Sequence, residues 1–112
     1  MPTSRREQPS RTALLVMRIG EEVTLCPFFG KCDGVVVIDP DVGRREYRWQ
    51  DRETADAMCD LIIGTGARRL ILGFVGEAAA DRLRRLGIDV RVGPCACALD
   101  DLVASFDHLP SA

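Results

Sequence analysis

Ala13-Leu14-Leu15-Val16-Met17 constrains the fold more than any other stretch of this chain. Five consecutive apolar residues lack the two-residue alternation of a strand with one wet face. They fit a strand buried on both faces, and such a strand needs a covering layer on each side of its sheet. Val35-Val36-Val37-Ile38 and Leu70-Ile71-Leu72 repeat the pattern. The fold class that follows is α/β.

The segments between these runs carry other periods. Asp39-Pro40-Asp41-Val42-Gly43 reads as a turn. Arg45-Glu46-Tyr47-Arg48-Trp49 alternates with period two, as an edge strand with Tyr47 and Trp49 on one face. Ala55, Met58, Cys59, Ile62 and Ile63 form one helical stripe, with Thr54 or Asp51 as the cap and Gly64 or Gly66 as the end. Gly73-Phe74-Val75-Gly76 turns into a second helix facing inward through Ala79, Leu83 and Leu86 and stopped by Gly87. Ile88, Val90 and Val92 alternate as a further strand. Gly93-Pro94-Cys95-Ala96-Cys97 then leads into a helix that buries Leu99, Leu102, Val103 and Phe106.

The order is β-β-β-α-β-α-β-α. A meander is antiparallel, and right-handed crossovers make strands parallel. The prediction is a mixed five-stranded sheet in the order 3-2-1-4-5 with helices on both faces, the ribonuclease H-like architecture. A chain of 112 residues fits one domain, placed at 12–107. Residues 1–11 read as a disordered tail and 108–112 as a loose end.

Charge and hydropathy exclude some partners. The net charge is -2, and the basic residues are scattered arginines without a stripe, so no nucleic-acid surface is expected. No apolar run reaches bilayer length and no apolar leader is present, so no membrane association and a cytoplasmic location are expected. Thiols stay reduced there, so five cysteines point to metal binding, redox chemistry or core packing rather than to a disulfide framework.

In open α/β sheets a ligand sits beyond the carboxyl ends of the parallel strands. Three loops reach that edge: 20–33, 73–76 and 93–97. Cys26 and Cys32 lie in the first, and Cys95 and Cys97 in the last. Four such thiols are candidate ligands for a soft metal, either an iron–sulfur cluster or zinc. Thiolates near helix N-termini form more readily. The Cys-x5-Cys and Cys-x-Cys spacing matches no standard zinc or ferredoxin pattern, and any one of these cysteines taken alone reads better as a small core residue than as a ligand. Cys59, on the helical stripe, belongs to the core. Gly73 and Gly76 either let a cofactor approach the backbone or simply permit a tight strand-to-helix turn. Lys31, the only lysine, sits inside the cysteine loop where it can meet an anionic cofactor.

These motifs resemble the dinitrogenase iron–molybdenum cofactor biosynthesis family, the NifX type also found at the end of NifB. Members carry Ser-Pro-His-Phe-Gly after the first strand, where this chain has Cys26-Pro27-Phe28-Phe29-Gly30. Members carry Gly-Gly-Ile-Gly after the fourth strand, where it has Gly73-Phe74-Val75-Gly76. Leu86-Gly87-Ile88-Asp89-Val90 is similar to the family's exit from the second helix. The resemblance covers residues 13–106. It implies a ribonuclease H-like fold and a role in carrying iron–sulfur or molybdenum–iron–sulfur cofactors, with nitrogenase assembly proteins as partners. It also places Phe28 at the cofactor, where the family has a histidine. That substitution removes an imidazole ligand, Phe74 replaces a glycine, and the cysteines stand where the family has none.

A non-enzymatic binding role is therefore the leading expectation. A ribonuclease H-like nuclease needs carboxylates on its first strand, and Ala13–Ile19 has none. The alternatives are a cysteine-based redox enzyme with Cys95 and Cys97 as its pair, or a zinc-binding structural or regulatory protein.

Overall fold

Leu14, Leu15 and Val16 lie fully inside the molecule, on the central strand that their unbroken apolar run predicts. The structure is a computed structural model and describes residues 11–27, 32–39, 43–49 and 55–111. Among these, six strands form one open mixed sheet: β1 (Thr12–Ile19), β2 (Glu22–Leu25), β3 (Gly34–Asp39), β4 (Arg44–Trp49), β5 (Arg69–Leu72) and β6 (Asp89–Val92). Three helices complete the described fold: α1 (Ala55–Thr65), α2 (Glu77–Arg85) and α3 (Leu99–Ala104). A single 3-10 turn, Phe106–His108, follows α3.

The main path of the sheet runs β4-β3-β1-β5-β6. β3 is antiparallel to both β1 and β4, whereas β5 is parallel to both β1 and β6. The sixth strand, β2, corrects the expectation of an irregular loop over 20–33. Gly20 adopts φ 63°, and the two-residue turn Gly20-Glu21 folds β2 back on β1 with Ile19 opposite Glu22 and Val16 opposite Leu25. Only glycine takes that backbone without penalty.

Alternation along the buried strands fills two layers. Ala13, Leu15, Val35, Val37, Leu70, Leu72 and Val90 meet Met58, Cys59 and Ile62 of α1 and Leu83 of α2. Leu14, Val16, Val36, Ile38 and Ile71 meet Leu99, Leu102 and Val103 of α3, with Phe106 beside them. Each large apolar side chain fully buried this way contributes roughly 1.5–3 kcal/mol. The expected helical faces were too wide: Ile63 and Leu86 are exposed. Leu86 lies just past the last turn of α2 and so turns off its buried stripe.

The chain end also departs from expectation. Leu109 packs on the α3 layer, Val92 N–H donates to the Pro110 carbonyl at 2.9 Å, and Ser111 bridges to Arg91. The Arg91 guanidinium donates to the carbonyls of Phe106 (3.0 Å) and Leu109 (2.9 Å), which fastens this segment against β6. Residues 1–10 of the expected tail at 1–11, and the expected caps Asp51 and Thr54, lie outside the described residues. No described helix is long and apolar enough to cross a membrane.

Candidate functional site

The hairpin decides where the cysteine loop goes. Val16 pairs with Gly34 of β3 on one edge of β1, so β2, paired through Leu25, lies on the other edge. That is also the edge where β5 pairs with Thr12–Leu14. The chain leaving β2 therefore drops into the slot beyond the carboxyl end of β5. There Cys26 N–H donates to the Leu15 carbonyl (2.8 Å), and the Cys26 carbonyl accepts from Gly73 N–H (3.1 Å). Asp33 N–H donates to the Val16 carbonyl at 2.9 Å and anchors the other end of the loop. Gly93 N–H donates to the Leu72 carbonyl at 3.0 Å, which brings in the third loop.

Gly73 is the point where the loops meet. A Cβ built there would stand 2.6 Å from the Cys26 carbonyl oxygen, 2.7 Å from Pro27 Cα and 3.0 Å from Cys95 Sγ. The glycine is used for packing the 26–27 and 95 segments, so its bare backbone is already covered by protein. Gly76 is different: open space surrounds its Cβ position, at the start of α2. Between them Val75 packs inward and Phe74 projects into solvent.

The cysteines do not gather as four equivalent thiols. Cys26 and Cys32 are joined as a disulfide, with Cα atoms 5.6 Å apart, and both are buried in the α1–α2 layer. This corrects the expectation of reduced cysteines. That expectation rested on a compartment, whereas the geometry follows from two loop ends anchored side by side on β1. Cys95 is half-buried and packs toward the α3 layer, on the other side of the sheet. Burial raises its thiol above the ordinary cysteine value, which counters the expected assistance from a helix N-terminus. Cys97 is exposed. Cys59 lies in the α1–α2 core, as expected. Among the described residues, no group of three cysteine, histidine or acidic side chains is arranged to hold a metal ion. The expected cofactor contacts Phe28 and Lys31 lie outside the described residues.

One feature at this edge escaped the sequence reading. The Arg18 guanidinium stacks on Trp49 with its carbon 4.3 Å from the ring centroid, and Tyr47 stacks on the same indole at 5.5 Å. Asp33 links this platform to the cysteine loop, because its Oδ2 accepts from Arg18 N–H at 2.7 Å. The alternation in β4 predicted the Tyr47–Trp49 face but could not supply Arg18. A groove of about 430 Å³ also opens at the opposite end of β3, between Ile38, Arg44 and Val103. Arg45 and Asp100 of its lining form an ion pair, and the lining contains no cysteine.

No family model matches this chain, and no curated protein matches it. Solved structures do. The apo form of the orange protein from Desulfovibrio gigas superposes with a TM-score of 0.78 at 24% identity, covering 92% of each chain. PH0822 follows at 0.71 and 21% identity, covering 90% of this chain and 93% of its own. A NifB-like protein of the DUF35 family from Thermotoga gives 0.70 at 17% identity, covering 90% of this chain and 91% of its own. At these identities the likeness concerns the fold, and at that level it agrees with the NifX/NifB resemblance.

Proposed function

We propose that this chain is a non-enzymatic carrier of a metal–sulfur cofactor, of iron–sulfur or molybdenum–iron–sulfur type, held at the carboxyl ends of β1, β5 and β6. The observation that carries the reading is the convergence on Gly73 of one loop bearing Cys26 and Cys32 and another bearing Cys95. Thiolates are soft donors suited to iron, molybdenum and their sulfides. On this reading Cys26 and Cys32 contribute donors when reduced, and Cys95 and Cys97 approach the cargo from the third loop. The path β4-β3-β1-β5-β6 supports a ribonuclease H-like reading of the fold.

The fold neighbours support the same direction. One was solved as an apo form, a word that implies a loaded form of that protein, and another is NifB-like. A place in nitrogenase-related cofactor assembly is the corresponding context, with assembly proteins as donor and acceptor.

Anaerobic purification with quantification of iron, molybdenum, zinc and acid-labile sulfide tests the reading. A metal with sulfide, and visible absorbance lost in the variant with Cys26, Cys32, Cys95 and Cys97 all changed to alanine, is the expected result. One zinc without sulfide would favour a structural role. Absorbance that survives in the variant would remove the cysteines as ligands.

A further inference from the structure

We infer that β4 joins β4 of a second copy of this chain, antiparallel about a two-fold axis at Tyr47, so that two sheets become one. The inference is independent of the carrier reading, because it concerns the lateral edge of the sheet rather than the cysteine loops.

β4 is a terminal strand of the sheet's main path. Among the described residues it pairs only with β3, so the N–H and C=O groups along its other side have no strand beside them. The opposite terminal strand is treated differently: the chain's own end closes β6, through Pro110 and Ser111. An open edge is a template for another strand. β4 also holds the chain's only tyrosine and only tryptophan, which stack on each other and are both 40% exposed.

Charged side chains ordinarily guard such an edge, and β4 carries Arg44, Arg45, Glu46 and Arg48. Whether they repel a second copy depends on register. A two-fold axis perpendicular to the sheet sets one residue opposite itself and keeps like faces together. Centred on Arg45, Glu46 or Arg48, the axis brings like charges face to face. Centred on Tyr47, it sets Glu46 opposite Arg48 of the second copy, and Arg48 opposite its Glu46. On the other face Tyr47 meets Tyr47, and Arg45 meets Trp49. Within one copy Glu46 and Arg48 already pair at 3.2 Å. The joined edge exchanges that contact for the same contact across the axis, so no charge is stranded. Exposed ion pairs add little affinity. They select the register, while the backbone ladder and the row of four aromatic rings supply the contact.

Sedimentation velocity on the full chain, over roughly 1 μM to 1 mM, reads the association. Non-reducing electrophoresis of each sample checks that exposed Cys97 has not cross-linked the copies. The wild-type chain should pass from monomer to dimer, and acrylamide should quench Trp49 less in the dimer. Glu46→Arg and Arg48→Glu should each weaken the dimer about tenfold or more, because each sets two like-charge pairs across the axis. Arg48 also donates to the Gly64 carbonyl, so a loss in that variant alone does not single out the edge. Mixing does. The two variants carry complementary charges at the paired positions, so an equimolar mixture should dimerise where neither does alone. A wild-type chain that stays monomeric overturns the inference and leaves the edge to an unlike strand. A dimer that both variants retain overturns β4 as the interface. Two monomeric variants that stay apart when mixed overturn the register at Tyr47.

Discussion

Cys95 and Gly73 touch, yet they carry different consequences. Burial raises the Cys95 thiol, so the folded chain holds its proton more tightly than the unfolded chain does. The sign follows: this contribution to stability is fully present below the ordinary thiol value and is lost as pH rises through the raised folded value. Cys95→Ser should therefore flatten the alkaline fall in stability, measured by urea unfolding across that range. In native protein, peptide-level alkylation of Cys95 should reach half its maximal rate at a higher pH than in denatured protein. An equal or lower midpoint would contradict the burial argument. At Gly73 the two shortest contacts, with Cys26 and Pro27, are with backbone, which cannot step aside. Gly73→Ala should cost about 1–3 kcal/mol through overpacking. Gly76→Ala, with open space and an ordinary backbone angle, should stay within about 0.5 kcal/mol. Comparing the urea midpoints of the two variants checks both. Equal midpoints would mean that the convergence at Gly73 is looser than its contacts indicate.

Arg91 shows how a single side chain organises an element. It stands on β6, stacks on Phe106 at 4.7 Å, and donates to two carbonyls of the following turn. Arg91→Ala leaves those carbonyls without their charged donor and should lower the urea unfolding midpoint. Amide exchange at Val92, whose N–H bonds to Pro110, should accelerate more than exchange at Leu15 in the central strand. Uniform acceleration would point to global destabilisation instead. This tie was illegible in the sequence, because it depends on one arginine reaching across fifteen to eighteen residues. β1, β3 and β5 were legible because burial on both faces writes an unbroken apolar run. β2 was not, since Glu22-Val23-Thr24-Leu25 is short, only partly buried, and embedded among Gly, Pro and Cys. The same physics divides the site. Topology brought the two cysteine loops to one edge, and that could be read in advance. Which face of the sheet each sulfur would take, and that Cys26 would sit next to Cys32, depended on the unread hairpin.

For the whole molecule, the disulfide and the cargo act on one stability. The disulfide closes a loop with a sequence separation of 6, and the chain-entropy relation assigns such a loop about 2 kcal/mol. Reduction without cargo should lower the melting temperature of a domain this size by roughly 8 °C. Cargo that binds only the folded, reduced chain restores stability by mass action, about 2.7 kcal/mol at a hundredfold excess over Kd. The two quantities nearly cancel. Oxidised apo protein and reduced loaded protein should therefore melt close together, with reduced apo protein below both. That ordering makes the unloaded dithiol the form least resistant to unfolding. Thermal unfolding followed by circular dichroism under anaerobic conditions, on all three forms at one protein concentration, reads the order directly. Ferrous iron with sulfide serves as the cargo. If reduced protein melts at the same temperature with and without iron and sulfide, no cargo is held by the folded chain. If oxidised protein also rises on their addition, the Cys26–Cys32 pair is not what holds them.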